Sequence, residues 1–300
     1  MKNKLHSLLT LVVFGITLNI SAEDFYKEIK RNFNVRSNVR LNIDINFANI
    51  NIQTWDQNTI DIVVKMDVAA KDQSRANELF DAIDVNINEG MDLASLSVSA
   101  GNSGCNSNNG RSTESSNVRV EVHMPMNAIL DGKCAFGDIN ITDMKGACEL
   151  NVEYGDLRVN GLWSYENDVH NSFGDARING TNGGDFHNEY GKLNIGLLQG
   201  NAEIKSSFGD MDIDKVSKQC KNLEIDVEYA DADINLDSDA GFRFEANSSY
   251  GDIDLPDTAK KTSSENDYTS KEIKGTIGNG EGRLDIECDF GDVEIDINQN

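Results

Sequence analysis

Six aspartates in the last third of the chain have the type and spacing to hold a cation. Asp210 and Asp212, Asp231 and Asp233, and Asp252 and Asp254 form three Asp-x-Asp pairs, each 21 residues from the next. If that interval is a stacking period, the carboxylates lie one above another. Like charges about 5 Å apart repel by roughly 1 kcal/mol per pair in water. A hard cation with oxygen ligands would relieve this, and Ca²⁺ is the expected one. The competing reading is a solvated acidic face built from turn residues. The G-G-x-G-x-D turn of nonapeptide calcium rolls does not occur here.

His170-Asn171 and His187-Asn188 repeat 17 residues apart and invite a Zn²⁺ or Cu²⁺ site. Two imidazoles without a third ligand make a poor centre, so an exposed polar ladder is the simpler expectation. His123 stands alone on a strand-like segment. No G-x-S-x-G, H-E-x-x-H or P-loop string occurs. Some β-helices that act on polysaccharides use clustered Asp, Lys or Arg. Here the aspartates recur as part of a repeat, which weakens them as a catalytic signal. Trp163, Tyr165 and Phe186, near Arg158 and Arg177, either stack on sugar rings or fill gaps at corners of the fold.

Five cysteines are present, Cys105, Cys134, Cys148, Cys220 and Cys288, at irregular spacing. An odd number leaves at least one free or intermolecular thiol in an oxidising compartment. Their pairing is open. Cys134 and Cys288 each precede a motif aromatic by two residues and read as small buried hydrophobes.

The element that positions these groups is a repeat. Phe136-Gly137-Asp138, Tyr154-Gly155-Asp156, Phe173-Gly174-Asp175, Tyr190-Gly191-Lys192, Phe208-Gly209-Asp210, Tyr229-Ala230-Asp231, Tyr250-Gly251-Asp252 and Phe290-Gly291-Asp292 are copies of one string. The steps between aromatics are 18, 19, 17, 18, 21, 21 and 40 residues. Three and five residues after each aromatic stands an apolar pair with a polar residue between, such as Leu157/Val159 and Ile253/Leu255. That is period two, the mark of a strand with one buried face. The same alternation precedes the aromatic in Leu150-Val152-Tyr154 and Leu284-Ile286-Cys288-Phe290. Each unit is therefore two short strands joined by a bend. Glycine suits that bend through positive φ, and aspartate by bonding nearby backbone N–H groups. A second turn follows, often with glycine, as at Gly146, Gly161, Gly180 and Gly200. A fixed period of this size means stacked units. The expected fold is an all-β parallel solenoid of about eight or nine coils of 17–21 residues, with the aromatics in an internal ladder.

Residues 23–130 form a less regular β region. Phe47-Ala48-Asn49-Ile50-Asn51-Ile52 is a degenerate copy of the motif. Residues 70–83 read as a short helix, with Ala76, Leu79, Phe80 and Ile83 on one side, placed to cover the first coil. Residues 101–117 are rich in Gly, Ser and Asn and read as a mobile loop. Val118–Val122 is a strand leading to Met124-Pro125. Residues 131–300 hold the repeats, and the polar stretch 257–267 reads as one degenerate coil carrying a loop.

Residues 1–22 read as a secretory signal: Lys2 and Lys4, an apolar run from Leu8 to Ile20, then Ser21-Ala22. The run is too short to span a bilayer. The chain's formal charge is −24, a balance that repels nucleic acid and anionic membranes and attracts cations or a basic partner. Solubility alone also accounts for it.

The chain resembles the bacterial "putative adhesin" family of secreted domains of unknown function. The resemblance rests on the strand ending at Asn49-Ile50-Asn51-Ile52, on Val118 to Pro125, and on the repeated Gly-Asp turns, and it covers most of residues 39–295. It implies a right-handed β-solenoid outside the cytoplasmic membrane and no established catalytic residues. The regular Phe or Tyr before each turn departs from that pattern. The expectation is a non-enzymatic exported protein of the periplasm or cell surface, used for adhesion, scaffolding or binding. Its partner would be a surface, glycan or envelope protein. The alternatives are a carbohydrate-active β-helix and an envelope regulatory or sensory protein.

Overall fold

The computed structural model describes residues 23–100 and 114–298. The leader, Cys105 and most of the loop expected at 101–117 lie outside the described residues. Alternation of apolar and polar residues produces strands wherever the sequence places it. In the Tyr154 coil, Cys148–Glu153 and Leu157–Leu162 flank the corner, and Leu150, Val152, Leu157 and Val159 point inward and are buried. Strands before the corner stack in parallel within one sheet of 13 strands, and those after it within a second sheet of 12; antiparallel strands complete the first sheet at both ends and the second at one. Around the corners register is kept residue for residue, with Leu157 between Ile139 and Ala176; among the coil strands it slips past Ile213, where Val216 pairs with Leu236. The core is the layer between the two sheets. Both sheets run unbroken across residue 130: Arg40–Asn46 pairs with Ile129–Ala135 in one, and Asn49–Trp55 with Ile139–Met144 in the other.

The corners differ from expectation in two ways. The aromatic residue, not the glycine, takes positive φ, at 54–61° in all nine copies including Phe47. The left-handed conformation turns each ring outward, so the ladder lies on the outside of the coil and the rings are about half exposed. The inward positions two before and three after the aromatic already fill the core. Glycine follows because the coils approach closely there. A Cβ on Gly174 would stand 2.0 Å from the carbonyl oxygen of Gly155, and the same clash recurs at Gly155, Gly191 and Gly209.

Spatial order departs from chain order at the C-terminal end. The Phe290 coil, Gly282–Asp289 and Val293–Asn298, lies between the Tyr229 and Tyr250 coils. The stretch read as a degenerate coil is instead an antiparallel hairpin, Lys260–Asn266 with Ser270–Ile277, laid along Phe242–Ser249. Its outer strand is polar and exposed along its length, which discourages further pairing at that edge.

The other end is built the same way. Leu93–Ala100 and Ser115–Pro125 add one further parallel layer beside the Phe47 coil. Antiparallel strands Ile83–Asn88, Thr59–Ala70 and Glu23–Asn34 then cover it. Helix Gln73–Asp81 packs on these covering strands through Ala76, Leu79 and Phe80, and Asp72 caps it by accepting the Arg75 N–H at 2.8 Å.

Candidate functional site: an exposed aromatic ladder

Nine rings run along one corner in the order Phe47, Phe136, Tyr154, Phe173, Tyr190, Phe208, Tyr229, Phe290 and Tyr250. Successive centroids are 4.7–5.0 Å apart and the planes are within 7° of parallel. That spacing is the inter-strand distance, so the backbone ladder dictates the ring ladder. Interior rings are 46–50% exposed, and of the two ends Phe47 is 43% and Tyr250 62% exposed. Faces of interior rings are covered by their neighbours, leaving the edges to solvent.

Two columns hold the corner in place. Two residues before the aromatic, where Ile45, Val152 and Val227 are apolar, the other coils place an inward side chain that donates to the carbonyl of the corner glycine. Ser206 Oγ bonds Gly209 at 2.7 Å, Ser248 Oγ bonds Gly251 at 2.8 Å, and Asn171 and Asn188 donate to Gly174 and Gly191. Cys134 and Cys288 occupy the same column, their thiols 3.3 and 3.0 Å from Gly137 and Gly291 oxygens. They are buried as expected, and they also serve as weak donors. The sequence signal for this column was a polar residue at an inward position.

Two residues after the aromatic stand the aspartates. Each carboxylate accepts the backbone N–H of the equivalent residue in the next coil. Asp138 accepts from Asp156, Asp156 from Asp175, Asp175 from Lys192, Asp210 from Asp231, Asp231 from Asp292 and Asp292 from Asp252, at 2.8–3.3 Å. The aspartate bonds a neighbouring coil instead of its own turn, and the column is a charge-assisted seam. Lys192, which cannot accept, interrupts it.

The six aspartates singled out for a cation are divided by this seam. Asp210 and Asp231 serve in it. Asp212 pairs with Lys192 Nζ at 2.5 Å, and Asp252 lies 3.6 Å from Lys271 Nζ. The Phe290 coil places Asp292 and Glu294 between the Asp231/Asp233 and Asp252/Asp254 pairs. Burial, then the neighbouring Asp212, holds the Asp233 carboxyl above its ordinary pKa, and Asp296 does the same to Glu294. Among the described residues, no three His, Cys, Asp or Glu side chains gather as a metal site.

His170 and His187 stack at 4.5 Å, and His170 Nε2 lies 3.0 Å from Asp168 Oδ1. Burial and the facing His170 hold His187 below the ordinary imidazole pKa. The two rings form the ladder read from their spacing, with His170 exposed and His187 half-buried, while Asn171 and Asn188 are buried. Of the other aromatics, Phe186 is core and Tyr165 is exposed. Trp163 lies over Gly161 and Gly180 with Nε1 donating to Asp143 Oδ1 at 2.9 Å.

A family model described as Toastrack DUF4097 matches residues 38–296. The chain belongs to the Toastrack DUF4097 family. None of the curated proteins searched matches it significantly. Solved structures similar to this Toastrack chain include a "putative adhesin" from Bacteroides fragilis NCTC 9343, at 13% identity and TM-score 0.41, covering 90% of this chain and 97% of that one. A "putative adhesin" from Parabacteroides merdae ATCC 43184 is 12% identical with TM-score 0.40, covering 90% and 96%. A "putative lipid binding protein" from Parabacteroides distasonis ATCC 8503 is 12% identical with TM-score 0.41, covering 89% and 96%.

Around Arg158 and Arg177 the Toastrack surface carries a shallow groove of about 350 Å³. Arg158 pairs with Asp156 at 2.6 Å and Lys192 with Asp212, while Arg177 Nε donates to Asn194 Oδ1 at 3.4 Å. Cys134, Cys148, Cys220 and Cys288 are all buried free thiols. Burial raises the first three to about 12 and Cys288 to about 11.

Proposed function

We propose that this Toastrack chain is a non-enzymatic, exported solenoid of the envelope or cell surface, and that its work is binding, in adhesion or scaffolding. The observation that carries this reading is the ladder of nine half-exposed rings along one corner. A contiguous apolar stripe on an otherwise acidic surface is the usual mark of an interaction site. The rings are fixed by backbone, stacking and the aspartate seam, so little side-chain freedom is lost when a partner docks. The signal-like leader supports export.

The test presents residues 23–300 to a glycan array and to intact bacterial and epithelial surfaces, beside Phe136→Ser and Phe173→Ser variants. Retained binding to at least one surface, weakened in both variants with the circular dichroism spectrum unchanged, is expected. No binding anywhere, or binding indifferent to both variants, overturns the reading. Shortening of any polysaccharide by the protein would favour the carbohydrate-active alternative.

A further inference from the structure

At the Tyr250 end the ladder leaves a ring without a stacking partner on its outer side. Tyr250 stacks on Phe290 at 4.9 Å, and among the described residues no ring stacks on its other side. In every interior coil the aromatic N–H bonds a carbonyl of the next coil. For Tyr250 that acceptor is Thr269 O, at 2.8 Å, in the turn of the C-terminal hairpin. The hairpin thus supplies the hydrogen bond of a further coil without its ring. Tyr268, in the same turn, is 99% exposed.

Tyr250 and this turn line an open surface depression of about 510 Å³, together with Asp252, Asn266, Asp267 and Lys271. The turn is held in shape. Asp267 N–H donates to Ser270 O at 2.8 Å, and Tyr268 N–H to Asp267 Oδ1 at 2.7 Å. Lys271 Nζ is 3.6 Å from Asp252 and donates to Ile253 O at 3.2 Å.

We propose that this end of the ladder is a binding site for a neutral pyranose, such as a sugar unit of a surface glycan. The proposal rests on the binding reading above and names its ligand. An aromatic face has apolar character toward the C–H face of a sugar ring. Carboxylates accept hydrogen bonds from hydroxyls, and an Asn amide both donates and accepts. Both kinds of group surround Tyr250. The charge balance selects among sugars. Asp252, Asp267 and Asp292 line the depression against one cation, Lys271, which Asp252 already faces. Uronic and sialic acids are therefore disfavoured. The size admits one or two sugar units.

The experiment uses residues 23–300 and saturation-transfer difference NMR with cellohexaose, maltohexaose, mannohexaose and chitohexaose, plus oligogalacturonate as the anionic arm. At least one neutral oligosaccharide is expected to give transfer. The signal should fall at least five-fold in Tyr250→Ala and Tyr268→Ala, and oligogalacturonate should give none. Tyr268 is almost wholly exposed, so its variant tests the site without disturbing the fold, and thermal melts check Tyr250→Ala. Tyr26→Ala, an exposed tyrosine outside the ladder on Glu23–Asn34, should leave the signal unchanged. No transfer from any neutral sugar, transfer in either tyrosine variant equal to the parent's, or preference for oligogalacturonate overturns the inference. If the surface screen is positive while these results are negative, the binding reading stands and this site does not. If both are negative, both fail.

Discussion

Tyr229 stacks on Phe290, not on Tyr250, the next aromatic of the repeat in the chain. The final coil is therefore interior to the stack, and its removal opens a gap. A chain ending at Asn279 should lose amide protection throughout Phe242–Ser249 and the hairpin, because Gly282–Asp289 is what joins them to the rest. Hydrogen exchange with mass spectrometry reads this directly. Protection in 242–277 equal to that of the full chain would contradict the coil order.

The corner aromatic sits at positive φ and half exposed, so its replacement should follow backbone preference. A non-glycine residue in the left-handed region carries roughly 1–2 kcal/mol of strain. Phe173→Gly removes the strain with the ring, whereas Phe173→Ala keeps it. Phe173→Ala should be the more destabilising by about 1 kcal/mol, measured by urea unfolding. Equal losses would argue against positive φ at this corner.

The adjacent glycine makes the opposite prediction. Gly174→Ala places a Cβ against the Gly155 carbonyl, backbone that cannot swing aside. The expected cost is about 3 kcal/mol or more, in the range that overpacking and strain produce together. A melting temperature within a few degrees of the parent would show that the coils can separate locally.

These two corners show what the sequence conveyed. Period two before and after each aromatic revealed parallel strand pairs, because one buried face leaves a pattern that any reader of hydropathy can see. Which side of the coil the rings take was hidden, since Phe and Tyr are ordinarily inside and only φ at the corner turns them out. The swap of the last two coils was hidden as well. The Tyr229, Tyr250 and Phe290 coils carry interchangeable corners, so nothing local fixes their order, and the hairpin that enforces it reads as a plain polar loop. The Asp column was visible, but its role depends on the neighbouring coil's N–H, which no single turn displays.

For that column, Asp156→Ala should cost about 1 kcal/mol or slightly more, by leaving the Asp175 N–H without its acceptor. Asp156→Asn, which keeps an oxygen, should cost less. The same seam bears on calcium. At matched ionic strength Ca²⁺ and NaCl should raise the melting temperature alike, by screening of the acidic surface. A larger Ca²⁺ shift that Asp231→Asn and Asp233→Asn abolish would establish a cation site.

The thiols predict the alkaline limb. Buried Cys148 is raised from 9.0 to about 12, so between those values the unfolded chain loses a proton that the folded chain keeps. Fewer protons on the unfolded state makes stability fall as pH rises. Its contribution is fully present below about pH 9 and declines toward pH 12. Urea unfolding at pH 8 and pH 10.5 should show this fall, and Cys148→Ala should make it shallower. An unchanged slope would mean that the thiol is open to solvent.

The inserted final coil also sets a timetable. A solenoid of neighbour-only contacts can lengthen coil by coil as the chain emerges, and this one can do so through Tyr229. The next strands made, Phe242–Ser249, do not belong on the exposed end they first meet. Their partner, Gly282–Asp289, is synthesised later and must occupy that place. Completion of the rod therefore waits for almost the last residue. Until then the Tyr229 coil presents an open edge, and the Tyr250 segment waits beside it without its partner.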